Sequence, residues 1–416
     1  MTTPFPWRGR LLVLAGIALA AFNLRTAITS LTPLLELVGG ELGFGSLAAG
    51  VLGMLPTAAF AVLGIATPAV VHRLGLERTV VLAMGLAAAG LLVRGWMDGT
   101  AGLMVASTVA LVGMGIGNVV LPPLVKRYFF DRVGTVSSMY ITSMQVGTLL
   151  PAFVAVPLAQ ALGWRVSLAA WVIPALLAAL PWLWLLRAGR DGLARVAPGD
   201  VEALPRATLP PGARIRRAPL AWSMVALLGT TSLVTYALFT WIPRWMTDAG
   251  LGPAAAGAML GVYSAAGLAT SLAVPVLAVR MRQPFLLVLP MLALYVGGFA
   301  GLLWAPATAP IAWSVMLGLA GGSFPLALTL INMRTRTPAG SAGLSGFIHA
   351  LGYLLACAGP LVVGWLRDLT GGWEWPVAFL AGCLVVLAWA AWSACRPRFL
   401  EDEWHGRQGP PPGAPV

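Results

Sequence analysis

The chain has 416 residues, of which 59% are hydrophobic and only 10% are charged. This composition argues against a soluble globular protein, and the unbroken apolar runs argue against a membrane β-barrel, whose strands alternate apolar and polar residues. The net charge of +12 would suggest a nucleic-acid partner for a soluble protein. Here the basic residues concentrate in alternate loops, which indicates membrane topology and no nucleic-acid partner.

Apolar segments follow one another along the chain, and a helix needs about 20 such residues to span the hydrocarbon of a bilayer. The first segment follows Arg8 and Arg10 and imitates a signal peptide, but its apolar run continues far beyond the short core of such a signal. We therefore predict twelve membrane spans. Their limits are 11–37, 46–71, 79–97, 101–125, 134–161, 166–187, 219–242, 254–279, 284–304, 310–331, 339–366 and 376–395.

The longest polar stretch between spans is 188–218, which is rich in Pro, Gly and Arg. Such a composition favours a linker without a core of its own. It divides the chain into four predicted parts. These are an N-terminal six-helix bundle at 1–187, a cytoplasmic linker at 188–218, a C-terminal six-helix bundle at 219–395 and a cytoplasmic tail at 396–416.

The distribution of basic residues predicts the orientation. With both termini in the cytoplasm, 21 of the 26 lysines and arginines lie on the inner side. The four on the outer side are Arg94, Arg165, Arg244 and Arg367, and the last one, Arg25, lies inside the first span. Because Lys and Arg accumulate in cytoplasmic loops, we predict a multi-pass protein of the inner membrane with both termini in the cytoplasm.

The two halves contain an internal repeat. Glycines recur at a constant offset of 205 residues in three pairs, Gly113 and Gly318, Gly117 and Gly322, and Gly147 and Gly352. Two parallel six-span halves with a substrate site between them near the midplane are a transporter design. The glycines also have a simpler explanation, since small residues let membrane helices approach closely.

The segment after span 2 runs from Pro68 to Arg78. At Arg73, Gly75 and Arg78 it resembles the loop motif of the major facilitator superfamily, Gly-x-x-x-Asp-Arg/Lys-x-Gly-Arg-Arg/Lys. Pro68 replaces the first glycine and His72 replaces the acid, so the acid of the expected gating salt bridge is missing. The resemblance implies that His72, Arg73, Gly75 and Arg78 form a gating loop.

Within that superfamily the chain resembles the cyanate and 2-nitroimidazole permease group. Three segments carry this resemblance: Phe22-Asn23-Leu24-Arg25-Thr26-Ala27-Ile28-Thr29-Ser30 in span 1, 115–127 (GIGNVVLPPLVKR) in span 4, and Gly163-Trp164-Arg165 at the start of span 6. It implies an all-α major facilitator fold, with twelve transmembrane helices in two pseudo-symmetric six-helix bundles. It also implies a proton-linked or gradient-driven carrier of small solutes.

Arg25 lies near the midpoint of span 1 and is the only full charge deep in a predicted span. Such a charge costs about 2.5 kcal/mol or more, so it faces the protein interior or a water-filled cavity. Its planar fork of donors suits a carboxylate, nitro or other anionic group. We expect Arg25 to anchor the solute, with Thr29 one turn away and Phe22 and Asn23 beside it. The alternative is a brace that bonds to backbone carbonyls at a helix break.

Further polar residues of the first half are expected at the site. Asn118 precedes two prolines in span 4, which leave carbonyls without backbone donors. Tyr140 and Gln145 lie in span 5. The alternative for each of the three is packing or hydrogen bonding between helices.

The second half supplies aromatic residues and a histidine. Tyr236 and Thr240 lie one turn apart in span 7, and His349 lies one turn before Tyr353 in span 11. We expect all four to face the site. Because histidine titrates near neutral pH, His349 is the candidate proton carrier; the alternative is a neutral histidine bonded to another helix. No carboxylate lies deep in a predicted span, so proton coupling is left open.

These observations predict a secondary active transporter that moves a small anionic or strongly polar solute, resembling cyanate, nitroimidazole or a small organic anion, by alternating access. We expect a monomer in the lipid bilayer with no cofactor and no metal. The alternative is a broad-specificity drug efflux carrier of the same fold. An enzyme is not expected, because the three histidines lie in separate regions and no paired carboxylates lie within the spans.

Overall fold

The computed structural model describes residues 10–129, 131–188 and 214–403. Within these ranges the chain is helical and contains no strand. Eleven helical segments are long and apolar enough to cross a membrane, and a bent pair at the N-terminal end makes a twelfth. The prediction of an all-α protein with twelve membrane spans is confirmed.

The spans fall into a first half, spans 1–6, and a second half, spans 7–12. In the first half, span 1 comprises Leu11–Asn23, Thr26–Leu31, the 3-10 turn Thr32–Leu34 and Leu35–Leu42, and the others are Ser46–Leu74, Leu76–Arg94, Thr100–Tyr128, Val133–Leu162 and Trp164–Ala169 with Val172–Arg187. In the second half they are Pro219–Asp248, Pro253–Arg280, Pro284–Leu287 with Val288–Trp304, Pro310–Ala320 with Ser323–Met333, Pro338–Ala356 with Ala358–Thr370, and Glu374–Ala394. The short helices Ile215–Arg217 and Leu400–Glu403 precede span 7 and follow span 12.

Span 1 is broken at Arg25, and its two parts are bent by 41°. Arg25 has φ −128° and ψ −8°, which is outside the helical range. The hydroxyls that follow donate to backbone carbonyls next to the break, from Thr26 to Asn23 at 3.1 Å and from Thr29 to Arg25 at 3.2 Å. These bonds add side-chain donors to the backbone carbonyls beside the break.

The buried apolar residues show how the halves meet. At one end a single core joins them, with Leu34, Val38 and Leu52 from the first half beside Leu233 and Trp245 from the second. At the opposite end the first half has its own core, built around Val120 and Trp182, and the second half has another, built around Leu228 and Leu326. We call these the closed end and the open end of the molecule.

The closed end contains a tight contact between spans 2 and 11. We call it the closed seam and define it by Gly50, Gly53 and Thr57 in span 2 with Cys357 and Pro360 in span 11. A Cβ added at Gly50 would lie 2.7 Å from the carbonyl oxygen of Pro360. The Thr57 hydroxyl lies 3.3 Å from Cys357 Sγ. The two backbones therefore touch where only glycine leaves room.

Polar contacts reinforce the closed end. Arg244 of span 7 forms an ion pair with Glu36 of span 1 at 3.1 Å. The carboxylate of Asp368, in span 11, accepts a hydrogen bond at 2.8 Å from the backbone nitrogen of Leu47, in the first turn of span 2. Each contact joins one half of the molecule to the other.

All three repeated glycine pairs lie at close helix contacts, but only one pair is equivalent in its packing. Gly147 packs span 5 against the carbonyl of Phe22 in span 1, and Gly352 packs span 11 against Gly229 in span 7. Gly113 faces span 3, whereas Gly318 faces span 8. The close approach of small residues explains every position, and the Gly147 and Gly352 pair additionally follows the repeat.

Arg94, which was counted among the outer-side charges, is a buried brace, a role that the sequence did not predict. It lies in the last turn of span 3 and is fully buried. Its guanidinium donates to the carbonyl of Ala27 at 2.8 Å, to the Ser30 hydroxyl at 2.6 Å and to the carbonyl of Leu168 at 3.4 Å. Both terminal nitrogens of the guanidinium are thus hydrogen-bonded, and Arg94 ties spans 3 and 6 to the part of span 1 that follows the break.

The predicted limits of the two bundles, the linker and the tail stay predictions. Most of the linker, 189–213, and most of the tail, 404–416, lie outside the described residues. The first residues of the predicted tail are described. In that segment Glu401 accepts hydrogen bonds from the backbone nitrogens of Arg336 and Thr337, both at 3.0 Å.

Candidate functional site

Arg25 contacts aromatic side chains of both halves. Its Nη1 donates a hydrogen bond to the hydroxyl of Tyr236. The guanidinium carbon also lies 5.2 Å from the ring centre of Phe60 and 5.8 Å from that of Tyr236, within the range of a cation–π interaction. Phe60 belongs to span 2 and Tyr236 to span 7, so Arg25 stands between the two halves.

Two cavities meet at Arg25. The main cavity has a volume of about 950 Å³ and extends from Arg25 to Val279 and Asn332 in the last turns of spans 8 and 10. Both of those residues are exposed, so the cavity opens at the open end. The side pocket has a volume of about 140 Å³ and reaches from Arg25 between spans 5, 7, 8 and 10. No Asp or Glu lines either cavity in the described part of the chain.

Six of the predicted residues besides Arg25 line these cavities. Asn118, Tyr140, His349 and Tyr353 line the main cavity, and Gln145 and Tyr236 line the side pocket. The structure thus brings residues from four other spans together around Arg25.

The polar groups of the main cavity differ in which of their atoms already have hydrogen-bond partners. The amide nitrogen of Asn118 donates to the carbonyl of Met114, in its own helix, at 3.2 Å. His349 Nδ1 lies 2.7 Å from the carbonyl oxygen of Ser345. Because a carbonyl only accepts, Nδ1 carries the proton and Nε2 is left as an acceptor. The ring of Tyr353 lies 5.7 Å from that of His349 and 5.9 Å from that of Phe60.

Asn23, Thr29 and Phe22 do not line the cavities, which corrects their assignment. Asn23 is fully buried, and its amide donates to the carbonyls of Leu19 at 2.8 Å and Pro174 at 3.0 Å. It therefore braces span 1 against span 6. The Thr29 hydroxyl is bonded to the Arg25 carbonyl, and Phe22 packs against the buried apolar layer that includes Phe60 and Tyr236.

Thr240 also lies away from Arg25. It is buried, and its hydroxyl donates to the Tyr236 carbonyl at 2.9 Å. It lines a separate recess of about 370 Å³ at the closed end, together with Glu36 and Arg244. One helical turn carries it from the Arg25 site to the layer where the halves are in contact.

The predicted gating loop is exposed at His72, Arg73, Gly75 and Arg78. Neither Arg73 nor Arg78 forms an ion pair with any residue that the structure describes. Gly75 has φ +80°, a conformation that favours glycine, and this ends span 2.

An acid does form an ion pair at this loop, but it is Glu77, which the motif comparison did not select. Glu77 is buried, accepts a hydrogen bond from the Tyr128 hydroxyl at 2.7 Å and pairs with Arg127 at 3.3 Å. The ion pair fastens the start of span 3 to the end of span 4.

Several cavity residues were not predicted, notably Phe60, Phe239, Phe324 and Ser232. Phe239 lies three positions after Tyr236, so helical periodicity was a sufficient signal. Phe60 and Phe324 come from other spans, and no local pattern links them to Arg25. No group of three or more His, Cys, Asp or Glu side chains that could hold a metal occurs in the described ranges.

This geometry, two halves around a central cavity that a charged side chain lines, agrees with a comparison to known proteins. Residues 14–357 match the sequence pattern of the Major Facilitator Superfamily. The chain belongs to this superfamily. It is a multi-pass membrane transporter of small molecules and not an enzyme.

Three relatives within the Major Facilitator Superfamily align over almost their whole length. The chain is 35% identical over 392 residues to an uncharacterized transporter, YycB, of Bacillus subtilis (strain 168), and the alignment covers 93% of this chain and 94% of the relative. It is 30% identical over 402 residues to the 2-nitroimidazole transporter of Escherichia coli (strain K12), covering 96% and 99%. It is 29% identical over 377 residues to the cyanate transport protein CynX of the same strain, covering 90% and 95%.

These relatives confirm the resemblance to the cyanate and 2-nitroimidazole permease group. Among solved structures, a bacterial homologue of the human lysosomal transporter Spinster, crystallised in an inward-facing and unoccupied conformation, has a TM-score of 0.76 at 14% identity. The alignment covers 96% of this chain and 99% of that one. It supports the major facilitator fold.

Proposed function

We propose that this protein is a secondary active transporter that carries a small anionic or strongly polar solute across the inner membrane by alternating access. Arg25 is the substrate anchor in this proposal. The names of two relatives, a 2-nitroimidazole transporter and a cyanate transport protein, support a solute of this class.

The unpaired charge of Arg25 is the observation that carries the proposal. Its polar contacts are phenols, of which Tyr236 accepts a hydrogen bond, and no carboxylate of the described residues pairs with it. Buried charges are normally paired. A solute with a carboxylate, nitro or similar group would supply the missing negative partner and would engage several guanidinium donors at once.

The same geometry supports a proposal for the conformation and the orientation. The open end carries Arg73, Lys126, Arg280 and Arg334 near the ends of spans 2, 4, 8 and 10. Under the positive-inside rule this end faces the cytoplasm, so both termini are cytoplasmic and the main cavity is inward-open. Alternating access then requires the closed seam to separate while the open end closes.

His349 remains the proton-coupling candidate in this proposal. It lines the main cavity, and its Nε2 has no hydrogen bond to the residues that the structure describes. The described cavity lining offers no carboxylate as a competitor for that role. The carrier is proposed to act as a monomer, with protons as the coupled ion.

Binding to purified full-length protein tests the anchor. The probes are cyanate, 2-nitroimidazole, benzoate and a cationic dye, and the variants are Arg25→Ala and Arg25→Lys. We expect Arg25→Ala to weaken binding of the anionic and nitro probes by about 30-fold or more, since loss of one partner of a desolvated charge contact costs about 2–5 kcal/mol. Arg25→Lys is expected to retain part of the affinity, because it keeps the charge and loses the fork.

Arg280→Ala is the matched control, because Arg280 is an exposed arginine at the end of span 8 and does not line the cavities. It is expected to bind all probes as the wild type does. Unchanged affinity of Arg25→Ala for the anions would refute the anchor. Binding of the cationic dye alone would instead support the drug efflux alternative.

A further inference from the structure

The side pocket is the right size for one planar ring. Its volume is about 140 Å³, and an engineered protein cavity of about 150 Å³ is known to admit benzene. A three-atom anion held by Arg25 would leave most of this space empty. The pocket is therefore larger than an anchor for a very small anion requires.

Aromatic side chains form one wall of the side pocket. The rings of Phe239 and Tyr263 lie 5.4 Å apart at 81°, and those of Tyr236 and Phe239 lie 6.0 Å apart at 46°. Phe324 lines the pocket from span 10. Ring edges and faces presented in these orientations offer edge-to-face or offset contacts to another aromatic ring.

Two buried hydroxyl groups mark the pocket as a polar site as well. Ser232 is only 1% exposed, and its Oγ has no hydrogen-bond partner in the described structure. Thr235 Oγ1 is also buried and makes no hydrogen bond of good geometry, although the phenols of Tyr263 and Tyr295 lie beside it. Buried polar groups are almost always hydrogen-bonded. Ser232 therefore needs a partner inside the pocket, and Thr235 has bonding capacity to share with one.

The position of these hydroxyls relative to Arg25 suits a ligand with a polar group at each end. Tyr236 contacts Arg25, and Ser232 lies one turn earlier on the same helix, a displacement of about 5.4 Å along its axis. The amide of Gln145 also lines the pocket and forms no hydrogen bond with the described residues. A ring that fills the space can thus hold an anionic group at Arg25 and a second polar group toward Ser232.

We propose that the side pocket selects a planar monocyclic aromatic or heteroaromatic solute with two polar ends. A carboxylate or nitro group binds Arg25, the ring lies against Phe239 and Tyr263, and a hydroxyl or ring N–H bonds Ser232 or Thr235. This inference rests on the proposed function, since it assumes that Arg25 anchors the solute. It narrows that function to ring-containing substrates over triatomic anions.

The experiment compares cyanate, benzoate and 4-hydroxybenzoate on the purified full-length protein. We expect benzoate to bind more tightly than cyanate, and 4-hydroxybenzoate more tightly than benzoate by about fivefold to tenfold, the usual effect of one hydrogen bond. The double variant Ser232→Ala with Thr235→Val removes both hydroxyls. It should lose the preference for 4-hydroxybenzoate over benzoate while still binding benzoate.

Ser223→Ala is the matched control, since Ser223 is a buried hydroxyl on the same helix whose Oγ is bonded to the Leu220 carbonyl. It should keep the full preference. The melting temperature of each ligand-free variant verifies its folding, and Ser232→Ala and Thr235→Val alone replace the double variant if that one is unstable.

The outcomes separate this inference from the proposed function. Arg25-dependent binding of cyanate with no gain from the ring, or a preference for 4-hydroxybenzoate that survives the double variant, overturns the inference and leaves the proposed function intact. Equal binding of all three probes to wild type and Arg25→Ala refutes the anchor itself.

Discussion

Gly50 lies where spans 2 and 11 touch in the closed seam, and a methyl group added there tests whether this seam must open. In the observed arrangement the new Cβ of Gly50→Ala would lie 2.7 Å from the Pro360 carbonyl oxygen and 3.2 Å from the Leu361 Cα. Comfortable carbon contacts require about 3.5 Å or more. Overpacking of this kind costs about 1–3 kcal/mol. Only the closed arrangement bears this cost.

A penalty confined to one of two states shifts their ratio. A difference of about 1–3 kcal/mol corresponds to about a 5- to 150-fold change in an equilibrium constant. We therefore expect Gly50→Ala to raise the fraction of molecules with a separated seam by that factor. Gly64→Ala is the matched control, because a Cβ at Gly64 in the same helix meets nothing within 4 Å. Both variants gain the same intrinsic helix propensity.

Cys357 provides the readout, since it is half-buried and its Sγ contacts Thr57 within the seam. In a background carrying Cys383→Ala and Cys395→Ala it is the only thiol, and its reaction with a maleimide requires exposure. We expect its labelling to be faster in Gly50→Ala than in the wild type and unchanged in Gly64→Ala. Equal labelling rates in the two glycine variants, with normal melting temperatures, would refute the idea that the seam separates.

Two stability predictions concern other charged residues. Arg94→Gln should lower the melting temperature by several degrees, because it loses two short charge-assisted hydrogen bonds to span 1, each contributing about 1.5–3 kcal/mol. Arg165→Gln removes exposed ion pairs with Glu41 and Asp98 and a cation–π contact with Trp164 at the surface, and it should have a smaller effect. Equal losses of melting temperature in the two variants would contradict the bracing role of Arg94. For Asp131, burial alone would raise the pKa, but the hydrogen bond and charge of Arg10 outweigh it and hold the pKa below its ordinary value of 3.8. A lowered pKa means that the ionised carboxylate stabilises the fold above about pH 4 and that this stabilisation is lost as the pH falls. The melting-temperature difference between wild type and Asp131→Asn should therefore narrow in acid. A difference that stays constant with pH would contradict this prediction.

The fold was predictable because the bilayer imposes a simple rule on composition. Every span must present about 20 apolar residues, and glycine, proline and charge interrupt such runs visibly. The burial of Arg94 could not be predicted in this way. Arg94 lies at the end of an apolar run, where a charge in a loop and a buried brace have the same sequence signature. Only the approach of span 1, with the carbonyl of Ala27 and the hydroxyl of Ser30, distinguishes them.

The site was predictable only in part because helical periodicity assumes an unbroken helix. Thr29 was placed beside the Arg25 side chain by the four-residue rule. The Arg25 backbone leaves the helical range, and the Thr29 hydroxyl is bonded to the Arg25 carbonyl and does not line the cavities. The partner of Arg25 is Tyr236, 211 positions away. Tyr236 was selected for its own chemistry, while its pairing with Arg25 depends on how the halves meet.

If Arg25 anchors the solute as proposed, its contacts connect substrate recognition with the movement of the halves. Phe60 holds the guanidinium from the first half, and Tyr236 accepts its hydrogen bond from the second. In the proposed function, an anionic solute that takes the Nη1 donor from the Tyr236 hydroxyl would replace a direct contact between the halves with one made through the solute. A ligand shifts a conformational equilibrium only by its difference in affinity for the two states. Because this exchange changes contacts across the interface, it gives the solute such a difference, which a charge paired within one half would not.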